Sequence, residues 1–306
     1  LKELEEDGLL EKTIIVWYTD HGGCMPRQKR LLYDSGLKVP MIIRFPNQQY
    51  AGTRDNRMIS FVDFAPTTLS LANIEPPKNI HGTAFLGKFQ RTEEPEYIYA
   101  AADRFDEKYA KGRAVRDERF KYIRHYNDEN EPIYLDLAYR KNQPIMMEML
   151  RLKDNDELNE TQLLWFQTPK PKEELYDTWN DKHEVNNLVN NPKYKKELMR
   201  LRQANNDFQN QYEDLAMLPE KELIKRLQPN GQQPKIAQPI ITEVDGKIVI
   251  SCETEGVTIG VRVKMGNTSI ERPFYIYTKP MKIPKGKQIE VIVDRIGYLK
   301  SDIVVF

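Results

Sequence analysis

The sequence predicts an α/β fold class for its first part, then an α+β segment, then a small all-β sandwich. Three observations carry that order. Thr13 to Thr19 is an apolar, β-rich run that leads straight into Asp20-His21-Gly22-Gly23. A run without polar alternation fits a strand covered on both faces, as in a parallel sheet. Gln228 to Pro239 is rich in Gln, Pro and Gly, the composition of a linker. Beyond it, short β-rich runs recur at regular spacing between turn residues.

Residues 1–74 read as the end of an α/β domain. A helix from Leu1 to Asp7 stops at Gly8, the strand Thr13 to Thr19 follows, and Val39 to Phe45 is a second buried strand. Asp63 is placed to cap a helix with Pro66 in its first turn, where a missing N–H does no harm. Ala65, Leu69 and Ala72 recur at helical spacing and predict that helix's inward stripe.

Residues 75–216 read as α+β. Glu96 to Ala101 is a strand, and Asp103-Arg104 ends it in a loop, Phe105 to Lys111, of mixed charge. Gly112 to Arg116 and Arg119 to Arg124 form a hairpin around Asp117-Glu118, and Tyr176 lies in a short strand or turn. Asn191 caps a helix with Pro192 at its first position, and Tyr194, Leu198, Leu201, Phe208 and Tyr212 make its apolar stripe. Residues 217–239 then read as the linker and 240–306 as the sandwich. Its strands are Ile248 to Cys252, Val257 to Val263, Phe274 to Tyr277, Ile289 to Val293 and Ile303 to Phe306.

Composition narrows the function. Lys plus Arg equals Asp plus Glu at 46 each, so no global basic field points to nucleic acid. No apolar run approaches the roughly 18 residues of a membrane span. The two cysteines, Cys24 and Cys252, fall in different predicted domains and read as lone thiols.

Chemistry concentrates at the end of the first strand. Ligands of parallel sheets collect just beyond the carboxyl ends of strands. Asp20 and His21 supply an oxygen and a nitrogen donor at that point, and Gly22-Gly23 let the backbone turn beneath them. Lys29 follows on the same loop, where Arg27, Arg30 and Lys38 leave a solvated basic loop as the alternative reading. The remaining histidines, His81, His125 and His183, have no partner at metal-ligand or triad spacing.

An ordered set of segments resembles the type I sulfatases of the alkaline phosphatase superfamily. Gly8-Leu9 precedes Lys12-Thr13-Ile14-Ile15, followed by Tyr18 to Gly23, Lys29, Tyr33-Asp34-Ser35-Gly36, Val39 to Pro46 and Val62 to Leu69. Arg113 to Asp117, Phe120 to Ile123 and Glu173 to Asp177 resemble that family's C-terminal subdomain. The sandwich is similar to those appended to chitobiase-type and other bacterial glycan-degrading enzymes. The implied architecture is the C-terminal part of an alkaline-phosphatase-like sulfatase sheet, followed by the α+β subdomain and the sandwich.

The resemblance implies an activity with its cofactors and partners. Asp20 and His21 would complete a calcium (Ca2+) site begun on an earlier strand, and Lys29 would contact the sulfate. Asp103 and Arg104 would approach a sulfated carbohydrate substrate at the mouth of the site. The nucleophile would be a formylglycine matured from a Cys/Ser-x-Pro-x-Arg motif. Cys24-Met25-Pro26-Arg27 fails that pattern, because Gln28 stands where it wants Arg. With that motif and the paired-Asp metal strand lacking, the chain reads as the C-terminal portion of a longer sulfatase. It is expected to be secreted or periplasmic and inactive alone. A non-catalytic glycan-binding remnant, or a phosphodiesterase or phosphonate hydrolase of the same superfamily, is the alternative.

Overall fold

The computed structural model describes residues 1–126, 131–264 and 273–306. It divides into two compact units, Leu1–Glu213 and Asp214–Phe306.

In the first unit, α1 (Lys2–Glu6) leads to β1 (Ile15–Tyr18), then α2 (Asp34–Leu37), β2 (Met41–Arg44) and α3 (Phe64–Leu71). The strands β1 and β2 pair with each other, antiparallel, from Ile15↔Arg44 to Tyr18↔Met41. The parallel, doubly covered arrangement expected for the run Thr13 to Thr19 is therefore not what this chain forms: Trp17 is 54% exposed and Ile42 63%. An apolar run records what packs on a strand in its complete sheet, and two strands by themselves leave their faces to solvent.

Helix α3 also differs from its predicted stripe. It buries Pro66, Thr67 and Ser70 rather than Ala65 and Ala72. The reason is hydrogen bonding: Thr67 Oγ1 accepts from Phe85 N at 3.1 Å and Ser70 Oγ from Phe89 N at 2.8 Å. Residues 83–89 thus dock on a polar face that apolar periodicity overlooks. The Asp63 carboxylate makes no cap bond to α3. It reaches back to Ser60 N at 3.2 Å and across to Thr83 N at 2.9 Å and Arg91 Nη1 at 3.1 Å.

The centre of the unit is an antiparallel sheet of β3 (Ile98–Phe105), β4 (Lys108–Arg116), β5 (Phe120–His125) and β6 (Glu173–Asp177), in that order. Between β5 and β6 lie α4 (Ala138–Lys141), α5 (Pro144–Asp154) and α6 (Glu160–Leu163). The hairpin β4–β5 stands where its sequence placed it, and the Asp117 carboxylate fixes its turn by accepting from Arg119 N at 2.7 Å and Phe120 N at 2.5 Å. By contrast, β3 and β4 run on through the predicted loop 105–111, so Asp103 and Arg104 sit within β3.

Successive strand residues point to opposite faces, and this sheet buries both. On one face, Val115, Phe120, Tyr122 and Leu175 pack on Leu198, Leu201 and Ala204 of α7 (Lys195–Tyr212). Asn191 caps the short 3-10 turn Pro192–Tyr194 that leads into that helix, accepting from Lys193 N at 3.1 Å, and the α-helix itself begins only at Lys195. On the other face, the neighbours Ala114, Ile123 and Tyr176 pack on Leu32 and Tyr33 from the loop that leaves β1. A helix therefore backs the sheet, and the loop carrying Lys29 lies across its front.

The second unit opens with α8 (Glu220–Leu227) and continues into β7 (Ile240–Val244), β8 (Lys247–Ser251), β9 (Thr258–Val263), β10 (Tyr275–Ile276), β11 (Ile289–Asp294) and β12 (Val304–Val305). The pair β7–β8 faces a four-stranded sheet ordered β10-β9-β11-β12 across a core of Ile248, Ile250, Val261, Ile289 and Val291. Alternate residues Ile289, Val291 and Val293 of β11 point inward. The end of the Gln/Pro/Gly-rich stretch belongs to this core as well, since Ile236 is buried and bonds Leu299 O through its N–H at 3.1 Å. Exposed residues 229–233 are its open part. Limited proteolysis should cut there and leave a folded piece from about residue 234 onward, as read by mass spectrometry and circular dichroism. Resistance of residues 229–233 to several proteases would contradict this.

Candidate functional site

The loop from Asp20 to Leu37 closes on itself through glycines. Gly22 N donates to Gly36 O at 2.9 Å, and Lys29 N to Gly23 O at 3.1 Å. A Cβ on Gly22 would stand 1.8 Å from Ser35 O, and one on Gly36 2.3 Å from Gln28 O. Neither Gly22 nor Gly23 has a positive φ. The Asp-His-Gly-Gly segment thus needs its first glycine for close backbone approach rather than for a left-handed turn.

That fold presents Asp20 and His21 together just past β1. The His21 Nδ1–H donates to Gly22 O at 2.6 Å, which leaves Nε2 beside the Asp20 carboxylate at 3.5 Å. The Asp20 side chain is 86% exposed. Fixing one ring nitrogen on a carbonyl is how a histidine is prepared to offer the other. A carboxylate suits a hard cation such as calcium, whereas imidazole discriminates little in its favour. Among the described residues, no group of three or more His, Cys, Asp or Glu gathers to hold a metal. The pair by itself offers one oxygen and one nitrogen donor.

Lys29 leaves the same loop half-buried, with its ammonium 5.6 Å from the centre of the Tyr139 ring. Arg30 lies over the same ring at 5.0 Å and pairs with Asp106 at the β3–β4 turn. Arg30, Asp106 and Tyr139 are therefore the groups that surround Lys29. Asp106 and Tyr139 lie 77 and 110 positions away in the sequence, and no local pattern announces them. Asp103 and Arg104 stand on β3: Asp103 bonds the buried Arg113 guanidinium at 3.1 Å, and Arg104 lies over Tyr109.

Buried charges pin the loop to the sheet. Lys121 of β5 is 1% exposed and lies between Asp34 and Glu184, 2.8 Å from the latter. It also donates to Leu32 O at 3.2 Å. Arg116 pairs with Asp34 at 3.1 Å, and Asp34 N donates to Glu184 at 2.6 Å. Burial raises the Glu184 carboxyl above its ordinary value, while Lys121 works against that shift. Arg27 stacks over Tyr33 at 3.7 Å and donates to His183 O at 2.7 Å.

Beside this network, the buried Glu174 of β6 accepts from Tyr33 OH at 2.9 Å, His125 Nε2 at 2.5 Å and Tyr176 OH. Burial opposes the charge on Glu174, yet the bonds from His125, Tyr176 and Tyr33 hold its carboxyl below the ordinary glutamate value.

Two outcomes follow. Lys121→Met should destabilise the chain by about 3–5 kcal/mol, because it strands buried carboxylates, and urea unfolding would measure it; a change within about 0.5 kcal/mol would contradict the network's role. Glu174 is depressed in the folded state, so its stabilisation is complete above the unfolded carboxyl value of 4.5 and is lost as pH falls below it. Glu174→Gln should flatten that acid limb of the urea midpoint against pH, whereas parallel curves would contradict the assignment.

Comparison with known proteins places this arrangement. Residues 26–163 match the family model of the N-sulphoglucosamine sulphohydrolase C-terminal region. Over 303 residues the chain is 48% identical to an ulvan-active sulfatase of Formosa agariphila, covering 98% of this chain and 50% of that protein. An N-acetylglucosamine-6-O-sulfatase of Bacteroides thetaiotaomicron is 27% identical over 229 residues, 70% of this chain and 33% of that one. A solved structure of a protein in complex with its substrate D-glucosamine-2-N,6-O-disulfate superposes with a TM-score of 0.51 at 26% identity, over 70% of this chain and 37% of that one. The chain thus spans half or less of the length of these relatives. In sequence it is similar to sulfatases along nearly its whole length, and in fold it corresponds to the C-terminal region of alkaline-phosphatase-like sulfatases.

Proposed function

We propose that this chain is the C-terminal portion of a sulfatase that hydrolyses sulfate esters on a carbohydrate. The observation that carries the proposal is the 48% identity along nearly the whole chain to a sulfatase active on ulvan. The pairing of Asp20 with His21 on a glycine-closed loop, with Lys29 on that same loop, supports it.

In this reading Asp20 and His21 hold part of a calcium site, Asp20 with the donor that calcium prefers. Bound there, the ion would neutralise charge on the sulfate oxygens. Lys29 would place its ammonium against the same group, a cation positioned before negative charge develops as the S–O bond breaks. Arg30 and Tyr139 flank Lys29 and limit its freedom. Asp103 and Arg104 would reach the sugar from β3. The nucleophile, a formylglycine, would come from chain preceding Leu1, together with strands that cover the exposed faces of β1 and β2. Among the described residues no helix is long and apolar enough to cross a membrane, and in this reading the enzyme would be secreted or periplasmic.

Residues 1–306 by themselves should not turn over a chromogenic aryl sulfate, since binding groups cannot replace a nucleophile. Turnover that Asp20→Ala abolishes would overturn the reading. In the full-length enzyme, Asp20→Ala should lower calcium content and rate together, as measured by metal analysis and kinetics. Lys29→Ala there should depress kcat more than it raises KM, because a donor matched to developing charge acts chiefly in the transition state. A raised KM with unchanged kcat would move Lys29 to plain substrate binding.

A further inference from the structure

The front of the β3–β6 sheet holds a cavity of about 30 Å³ that the proposed chemistry does not use. Its lining is mostly apolar, with Leu32, Ile123 and Leu135 among it, and Arg30, His125 and Lys170 are its charged or titratable members. By volume it holds about two water molecules, the scale of a carboxylate head. Arg30 directly follows Lys29 and is steadied by Asp106. The buried Glu174 fixes His125 through Nε2, and Nδ1 then lies 3.6 Å from where a Cβ on Gly112 would stand. Glycine at 112 keeps that side of the ring open, since the same Cβ would also press Leu32 at 2.9 Å.

Lys170 is the exceptional member. Among the described residues its ammonium has no hydrogen bond and no ion pair. Burial pulls it below the ordinary lysine value, and Glu131 and Glu174 offset this only in part. A largely desolvated amine without a partner opposes folding, and an oxyanion in the cavity would supply the missing counter-charge.

We propose that Arg30, His125 and Lys170 form a subsite for an oxyanion on the sugar that carries the scissile ester, a carboxylate or a second sulfate. The proposal rests on the sulfatase reading and adds to it a determinant of substrate choice. Lys170 is the principal contact, His125, its Nε2 held by Glu174, donates to the oxyanion from Nδ1 only as the imidazolium, and Arg30 links the subsite to the loop of Lys29.

The test compares full-length wild type with Lys170→Met on three sugars: a sulfated uronate, a disulfated neutral sugar and its monosulfated counterpart. Lys170→Met should lower kcat/KM on an oxyanion-bearing sugar about 10- to 100-fold more than on the monosulfated one, the scale of one charge-assisted bond. Loss on the uronate identifies a carboxylate, and loss on the disulfate a sulfate. Lys170→Arg should recover most of the difference, and the Tm of Lys170→Met should match or exceed wild type. Equal losses on all three sugars, or a fall in Tm with no change in preference, would overturn the subsite. Wild type inactive on every sulfate ester would instead sink the sulfatase reading. Thermal shift with sodium glucuronate and with sodium sulfate then decides the subsite without turnover: stabilisation of wild type and not of Lys170→Met supports it, and no difference overturns it.

Discussion

Lys121 sits near the start of β5 with its ammonium enclosed by Asp34, Glu184 and the Leu32 carbonyl. A buried cation of this kind is tolerated only while its partners stay in place, and each partner lies on a loop that needs an anchor. Asp34 and Leu32 belong to the segment that returns from Asp20 and Lys29, and Glu184 to the segment after β6. One side chain therefore fixes two loops to one sheet. Arg116 on Asp34, and Tyr33 with His125 and Tyr176 on Glu174, extend the same surface. The front of the sheet combines these charges with the apolar patch of Ala114, Ile123 and Tyr176, and the other face packs apolar side chains on α7, because adjacent residues of each strand face opposite ways.

This division explains which parts of the fold were legible in the sequence. Hairpin β4–β5 and the α7 stripe follow local rules of turn chemistry and periodicity, and both stand where those rules put them. Strand β7 went unseen because Ile240-Ile241-Thr242-Glu243-Val244 follows a proline-rich stretch and alternates weakly. Helix α3 misled for another reason. Its buried face carries Thr67 and Ser70, whose hydroxyls accept backbone N–H groups from residues 83–89, and apolar counting cannot register such a face. The strand β1 reads as buried yet is exposed here, since sequence encodes the environment of the whole sheet rather than of the two strands present.

The candidate site was readable to a similar depth. Asp20 and His21 are neighbours in sequence and in space, and Lys29 shares their loop with its ammonium beside Tyr139. Arg30, Asp106 and Tyr139 meet only because β3–β4 and α4 converge on that loop. Glu184 lies outside every segment singled out in the sequence, and Lys121 lies in Phe120 to Ile123 without any assigned role. Their significance lies in burial, which a charged residue in a list of charged residues does not reveal. The same holds for Lys170, ordinary in sequence and unusual only for the cavity it lines.

Asp20, His21 and Lys29, on the loop that this sheet holds, are proposed to converge on a sulfate and a calcium ion. A crystal structure of the full-length enzyme with calcium and a bound sulfate ester tests this convergence most directly. An Asp20 oxygen is expected at about 2.3–2.6 Å from the ion and Lys29 Nζ at about 3 Å from a sulfate oxygen, with Lys121 still enclosed by Asp34 and Glu184. A metal bound without Asp20, with Lys29 remaining against Tyr139 and remote from the sulfate, would contradict it.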